Sequence, residues 1–197
     1  MRSVSLTLDY LPIEQLIDLI DEPNRAICHT ILRDNRALFE RSWGSRHNHQ
    51  AWDGGYIDHV TDCMNKARHQ YAFDKAFGRP MSFTLSNVQL VLYLHDKEKP
   101  WRREMDLDSE TGTATKIERQ IFRERKFIEY GLILSDDEIN GLTYVEGEII
   151  AHSPNERMMV PLASFCHAID NCSARRDYDY PKAEGDEWTG AGRVRTT

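Results

Sequence analysis

Four side chains of this 197-residue chain combine types that bind divalent cations: His59, His95, Asp96 and Asp170. Two imidazoles and two carboxylates make a mixed nitrogen and oxygen donor set, suited to Mn, Fe, Co, Zn or Mg, as one ion or more. Such a cation lowers the pKa of a water that it holds and neutralises charge on phosphoryl oxygens, so the chemistry in prospect is hydrolysis at phosphorus. His59 lies in Gly54-Gly55-Tyr-Ile-Asp-His59, His95-Asp96 ends the apolar run Val88 to Leu94, and Asp170 ends Phe165-Cys-His-Ala-Ile-Asp170. An apolar helix that runs into His-Asp carries both groups into the interior. An unpaired carboxylate is costly there, and a cation supplies the missing partner.

The elements that must position these groups read as helical almost throughout. Ile13, Leu16, Ile17 and Ile20 recur on one face after Pro12, and Ile27 to Phe39 form a second helical pattern after Pro23. A polar loop from Ser45 to Asp53 leads to Gly54-Gly55, which opens a long helix that stops by Gly78-Arg-Pro80. Ser86 is expected to cap the helix of Val88 to Leu94. Glu104 to Thr115 reads as an exposed acidic loop, Lys116 to Tyr130 as a charged amphipathic helix, and Ser135-Asp-Asp-Glu138 as a capping box. Thr143 to Ile150 has β character and is expected to form a short hairpin. Pro161 to Ala174 returns to a buried helical pattern. The expected fold is all-α: one helical-bundle domain over residues 1–181 with a small insertion at about 101–150, then a mobile tail over 182–197.

Composition narrows the function classes. The chain is 40% hydrophobic and 29% charged, enough for one sizeable core. A mean hydropathy of −0.61 and the lack of a long uncharged apolar run argue against a membrane span. Asp9, Glu14 and Asp18 follow the opening residues, so no secretory leader is expected. The net charge of −7 disfavours a nucleic-acid coat. Cys28, Cys63, Cys166 and Cys172 form no paired-cysteine motif and read as reduced core thiols of a cytoplasmic protein.

The ordered set His59, His95-Asp96, Asp170 resembles the H…HD…D signature of the HD-domain metal-dependent phosphohydrolases. His49-Gln-Ala-Trp-Asp-Gly54-Gly55-Tyr-Ile-Asp-His59 is similar to the family's His-x-x-x-x-Gly-Gly-x-x-x-His segment. Leu92-Tyr-Leu-His95-Asp96-Lys-Glu-Lys99 resembles its Leu-x-His-Asp-Ile-Gly-Lys run, with Glu98 where glycine is usual. Pro161 to Arg175 is similar to its last helix. The loop Gly44 to Trp52 and the region Tyr144 to Tyr180 look like a small phage-type branch, which includes dATP triphosphohydrolases of phages that use 2-aminoadenine. The resemblance implies an HD-type helical bundle, the four metal ligands named above, a deoxynucleotide substrate with dATP foremost, and association into a homo-oligomer. It places the chain in the cytoplasm, that of the host if a phage encodes it. A 5′-nucleotidase or 3′→5′ exonuclease, or a nucleotide-binding module without turnover, are the alternatives.

Around this set stand further candidates, each with an ordinary structural reading beside it. Glu98 could act as general base or orient water, and Lys99 could meet a phosphate as a point charge; a solvated Lys-Glu-Lys turn is the other reading. His49 and His47 could polarise a phosphate or hold a second ion, or be loop imidazoles. Arg46 and Arg175 are candidate phosphate contacts. Trp43, Trp52 and Ile57 could wall a purine or simply fill the core. His167 shares a helix with Asp170 but is spaced for a neighbouring face, and His29 has no partner visible in the sequence. Arg119, Arg123, Arg125 and Lys126, interleaved with glutamates, read as a solvated face or subunit contact.

Overall fold

The computed structural model describes residues 9–45, 48–104, 116–148 and 153–180. Over these it is all-α, in accord with the expected class. The helices are α1 (Ile13–Ile17), α2 (Asn24–Arg41), α3 (Gly55–Ala76), α4 (Leu85–Leu94), α5 (Glu98–Glu104), α6 (Lys116–Tyr130), α7 (Asp136–Tyr144) and α8 (Pro161–Asn171). A π-helical turn, Cys172–Arg176, continues α8. The expected tail, the loop over 105–115, Arg46, His47 and residues 149–152 lie outside the described residues.

The fold is organised around α4. Its residues Val88 to Leu94 are all buried, so apolar side chains are required on every face of this helix rather than along one stripe. α1, α3, α7 and α8 surround it. Each fully buried Leu or Val contributes about 1.5–3 kcal/mol. Two polar side chains of this helix donate to backbone carbonyls: Gln89 to that of Met64 at 3.0 Å, and the Tyr93 hydroxyl to that of Cys28 at 3.0 Å.

Helix ends follow local chemistry. Ser135 and Glu138 form the expected reciprocal cap of α7. The α4 cap, however, is Thr84 paired with Asn87, not Ser86. Ser86 instead accepts from the Asp21 backbone N–H at 2.8 Å. The β-hairpin expected over 143–150 is not formed among the described residues: Thr143 and Tyr144 end α7, and turns follow. An α-helix missing from the sequence reading, α5, starts directly after the His-Asp turn. Its Trp101 stacks on Tyr130 of α6 at 6.1 Å and 12° and donates its indole N–H to Asn35 of α2 at 2.8 Å. α6 and α7 therefore belong to the bundle: Phe127, Leu142 and Val145 join the core. No described helix is long and apolar enough to cross a membrane.

Two glycines shape the approach to α3. Gly54 adopts φ 81°, a left-handed conformation that side chains disfavour. A Cβ on Gly55 would stand 1.8 Å from the Gln50 carbonyl oxygen, so the loop crosses the helix start at backbone contact. Gly55→Ala is expected to push this loop away and lower stability by about 1–3 kcal/mol. A urea-denaturation midpoint equal to wild type would contradict the close approach.

Candidate metal centre

Three helix segments deliver the four donors. His59 lies one turn into α3, His95 caps the C-terminus of α4 with Asp96 beside it, and Asp170 lies in the last turn of α8. His59 Nε2 is 3.3 Å from His95 Nε2, 3.7 Å from Asp96 Oδ2 and 3.1 Å from Asp170 Oδ1. His95 Nε2 is 3.4 Å from Asp96 Oδ2 and 3.6 Å from Asp170 Oδ1. Donors that hold a Zn-sized cation at about 2.0–2.2 Å lie roughly 3–3.6 Å from one another in octahedral or tetrahedral arrangements. The spacing and the chemistry of the set fit such an ion. His59, His95 and Asp96 are buried, whereas the Asp170 side chain keeps 16% of its surface.

The groups behind the donors support that fit. His95 Nδ1–H donates to the Leu92 carbonyl at 2.7 Å, leaving Nε2 to face the other donors. Burial opposes charge on the His95 ring, but Asp96 and Asp170 outweigh it and push its pKa up to about 10. Burial likewise opposes charge on Asp170, yet the two imidazoles hold its carboxyl well below the usual range. Asp96 is held low in the same way by Lys99 and His95. Four electron-pair donors so close together draw in positive charge, either a proton or a cation. Cys63 Sγ, 3.8 Å from His59 Nε2, could also join His59 and Asp170 in a donor group. Burial keeps its thiol pKa well above the ordinary value, so the mixed nitrogen and oxygen set is the better donor group.

Asp96 and Asp170 open onto a cleft of about 560 Å³, also lined by Ser45, Asn48, His49, Lys99, Glu146, Glu148, His167, Asn171 and Arg175. Lys99 pairs with Asp96. The His49 ring packs on His59 at 4.5 Å between centroids. Burial, then His59 and Lys99, pull its pKa down to about 3, so it is neutral. His49 Nδ1–H donates to Gln50 Oε1 at 2.8 Å, which leaves Nε2 as an acceptor.

Other expected residues stand elsewhere. Glu98 is turned towards Arg123, at 3.8 Å, and is not among the described residues lining the cleft. Burial pushes its pKa up. Trp43 donates to Asp53 at 2.8 Å, Trp52 to Asp58 at 2.7 Å, and Ile57 packs on the core; none lines the cleft. Arg46 and His47 lie outside the described residues.

The structure also shows groups that the sequence concealed. The Lys-Glu-Lys turn is not solvated: Lys97 is fully buried, its Nζ 3.5 Å from the centroid of the Tyr93 ring and 4.5 Å from that of Phe39. Arg123 leaves the supposed surface stripe to donate to the His95 carbonyl at 2.5 Å and to the Leu142 carbonyl at 2.9 Å. His167 lines the cleft after all, because residues three apart on a helix are neighbours. His29 has a partner from α1's end, pairing with Asp18 at 2.8 Å.

Compared with protein-family models, with curated proteins and with solved structures, the chain matches none of them.

Since the His95 pKa lies near 10 before any cation is bound, His95 carries a proton at pH 7 that an ion must displace. Titration of metal-stripped protein with MnCl₂ is therefore expected to release about one proton per ion. Affinity should rise with pH across the range below 10. Calorimetry in buffers of different ionisation enthalpy reads both effects, and proton-neutral binding would contradict the arrangement.

Proposed function

We propose that the chain is a metal-dependent phosphohydrolase of the HD type acting on deoxynucleotides, with dATP as the first candidate substrate. The observation that carries this reading is the convergence of His59, His95, Asp96 and Asp170 beside a cleft that also holds Lys99 and Arg175. The cofactor would be a divalent cation, Zn, Mn, Co, Fe or Mg. When bound, it would offset phosphoryl charge and acidify water.

The chain's own groups would do the rest. Lys99, whose pKa Asp96 raises to about 12 against the opposing effect of burial, carries a fixed positive charge into the cleft. With Arg175, it suits the oxygens of a polyphosphate, Arg offering a planar fork and Lys a point charge. Neutral His49 suits an accepting role toward water or a hydroxyl. Its low pKa makes it an orienting group rather than a strong base. Glu146, Glu148 and Asn171 give the cleft hydrogen-bonding groups for hydroxyls or exocyclic amines.

A second reading, a 5′-nucleotidase of broader base tolerance, is favoured by one observation. Trp43, Trp52 and Ile57 do not line the cleft, so the base wall expected from the sequence is not supplied by them. Selection of one base would then rest on polar contacts.

Purified protein loaded in turn with Mn, Co, Zn or Mg and offered each dNTP, each dNMP and single-stranded oligonucleotides tests both readings. Turnover of dATP alone is expected; cleavage of monophosphates would favour the second reading, and the absence of any product would reject both. Asp96→Ala should lower kcat at least about 10³-fold while circular dichroism stays helical. Arg175→Ala should raise KM about 10-fold, through loss of a phosphate contact, and leave kcat within a few-fold. An Asp96→Ala protein with wild-type turnover would remove the site from consideration.

A further inference from the structure

Behind His59 stands a buried chain of polar groups that none of the roles above uses. Ser173, in the π-helical turn, is fully buried, with its Oγ 3.2 Å from His59 Nδ1 and 2.6 Å from Asp62 Oδ2. Asp62, one turn beyond His59 on α3, is also buried and pairs with Lys66, which reaches Asp177 at 3.0 Å. A carboxylate only accepts, so the Ser173 hydroxyl must donate to Asp62. A serine oxygen that has spent its proton on Asp62 presents lone pairs to His59, and the ring must place its hydrogen on Nδ1. Nε2 then carries an electron pair, aimed at the point where the other three donors meet.

We propose that Asp62, acting through Ser173, is a positioning residue of the metal centre that fixes the His59 tautomer and thereby sets affinity for the cation. The reversed polarity would be harmful. In the Asp62→Ala variant, the Oδ2 atom that accepts from both Ser173 and Lys66 is gone, and Lys66 keeps Asp177. The hydroxyl would then turn towards His59 Nδ1, and the ring proton would move to Nε2, where a cation belongs. The π-helical turn has a reason in this scheme: it extends α8 past Asp170 so that Ser173 and Asp170 meet His59 from one helix.

His49 is braced from the same side. Gln50, which accepts from its ring, donates its amide to the Asp177 and Tyr180 carbonyls at 3.1 and 3.2 Å, and its backbone N–H to the Tyr178 carbonyl at 2.7 Å. Asp177 thus joins the supports of both adjacent imidazoles.

This inference rests on the metal-centre reading but not on any substrate. Its test is Mn²⁺ affinity by chelator competition on metal-stripped protein, with ¹⁵N-histidine spectra to report which ring nitrogen holds the proton. Asp62→Ala and Ser173→Ala are each expected to weaken Mn²⁺ binding about 10- to 100-fold, with circular dichroism unchanged. The His59 signal should shift away from the pure Nδ1–H form. Weaker binding with an unaltered tautomer would overturn the proposal, as would wild-type affinity in either folded variant. If Asp62→Ala does not fold, the near-isosteric Ser173→Ala decides alone. A wild-type protein that binds no Mn²⁺, Zn²⁺, Co²⁺ or Mg²⁺ would sink the centre itself, whereas dATP left intact by a metal-binding wild type would count only against the proposed activity.

Discussion

The structure turns on four electron-pair donors, His59 and three others within 3.7 Å of its Nε2, in a place from which water is almost excluded. Such a cluster repels itself unless a positive charge lies among its members. The protein meets that demand partly from its own stock: Lys99 rests against Asp96, and His95 binds a proton far more tightly than a free imidazole does. These are also the charges an arriving ion would displace or face.

Rigidity around this cluster comes from three directions. Leu92 closes the last turn of α4 on the His95 ring, and Arg123 reaches from α6 to hold the His95 carbonyl. Lys97, the next residue but one, is trapped among the rings of Phe39, Tyr56 and Tyr93. Burial pulls the Lys97 pKa down to about 7, and the three rings enclose its amine directly after the donor cluster. Asp170 is the most exposed of the four donors, which agrees with its placement on the wall of the cleft.

How much of this was legible in the sequence depended on whether the deciding contacts were local. Val88 to Leu94, apolar on nearly every side, announces a central helix, and the His-Asp that ends it announces a buried polar pair; both readings need only neighbours in the chain. The Ser135–Glu138 cap is legible for the same reason. Lys97 and Arg123 were not, since their partners come from α2, α3, α4 and α7, and alternating charges around them imitate a solvated surface. The β-rich look of residues 143–145 yielded to α7 packing against α8, where Val145 is buried and its carbonyl accepts from His167 at 2.7 Å. The Ser173–Asp62 pair spans 111 positions, so no spacing rule could connect the two.

The reach of Arg123 changes how residues 116–148 should be regarded. A guanidinium that joins the carbonyl ends of α4 and α7 makes the arm a keystone beside the ligands rather than an accessory laid over them. Anyone trimming the molecule to a minimal scaffold, or swapping this arm for that of another bundle, would uncap the helix that carries His95. The outer surface of the arm stands apart from this role, with Ile121, Ile128 and Ile139 facing solvent.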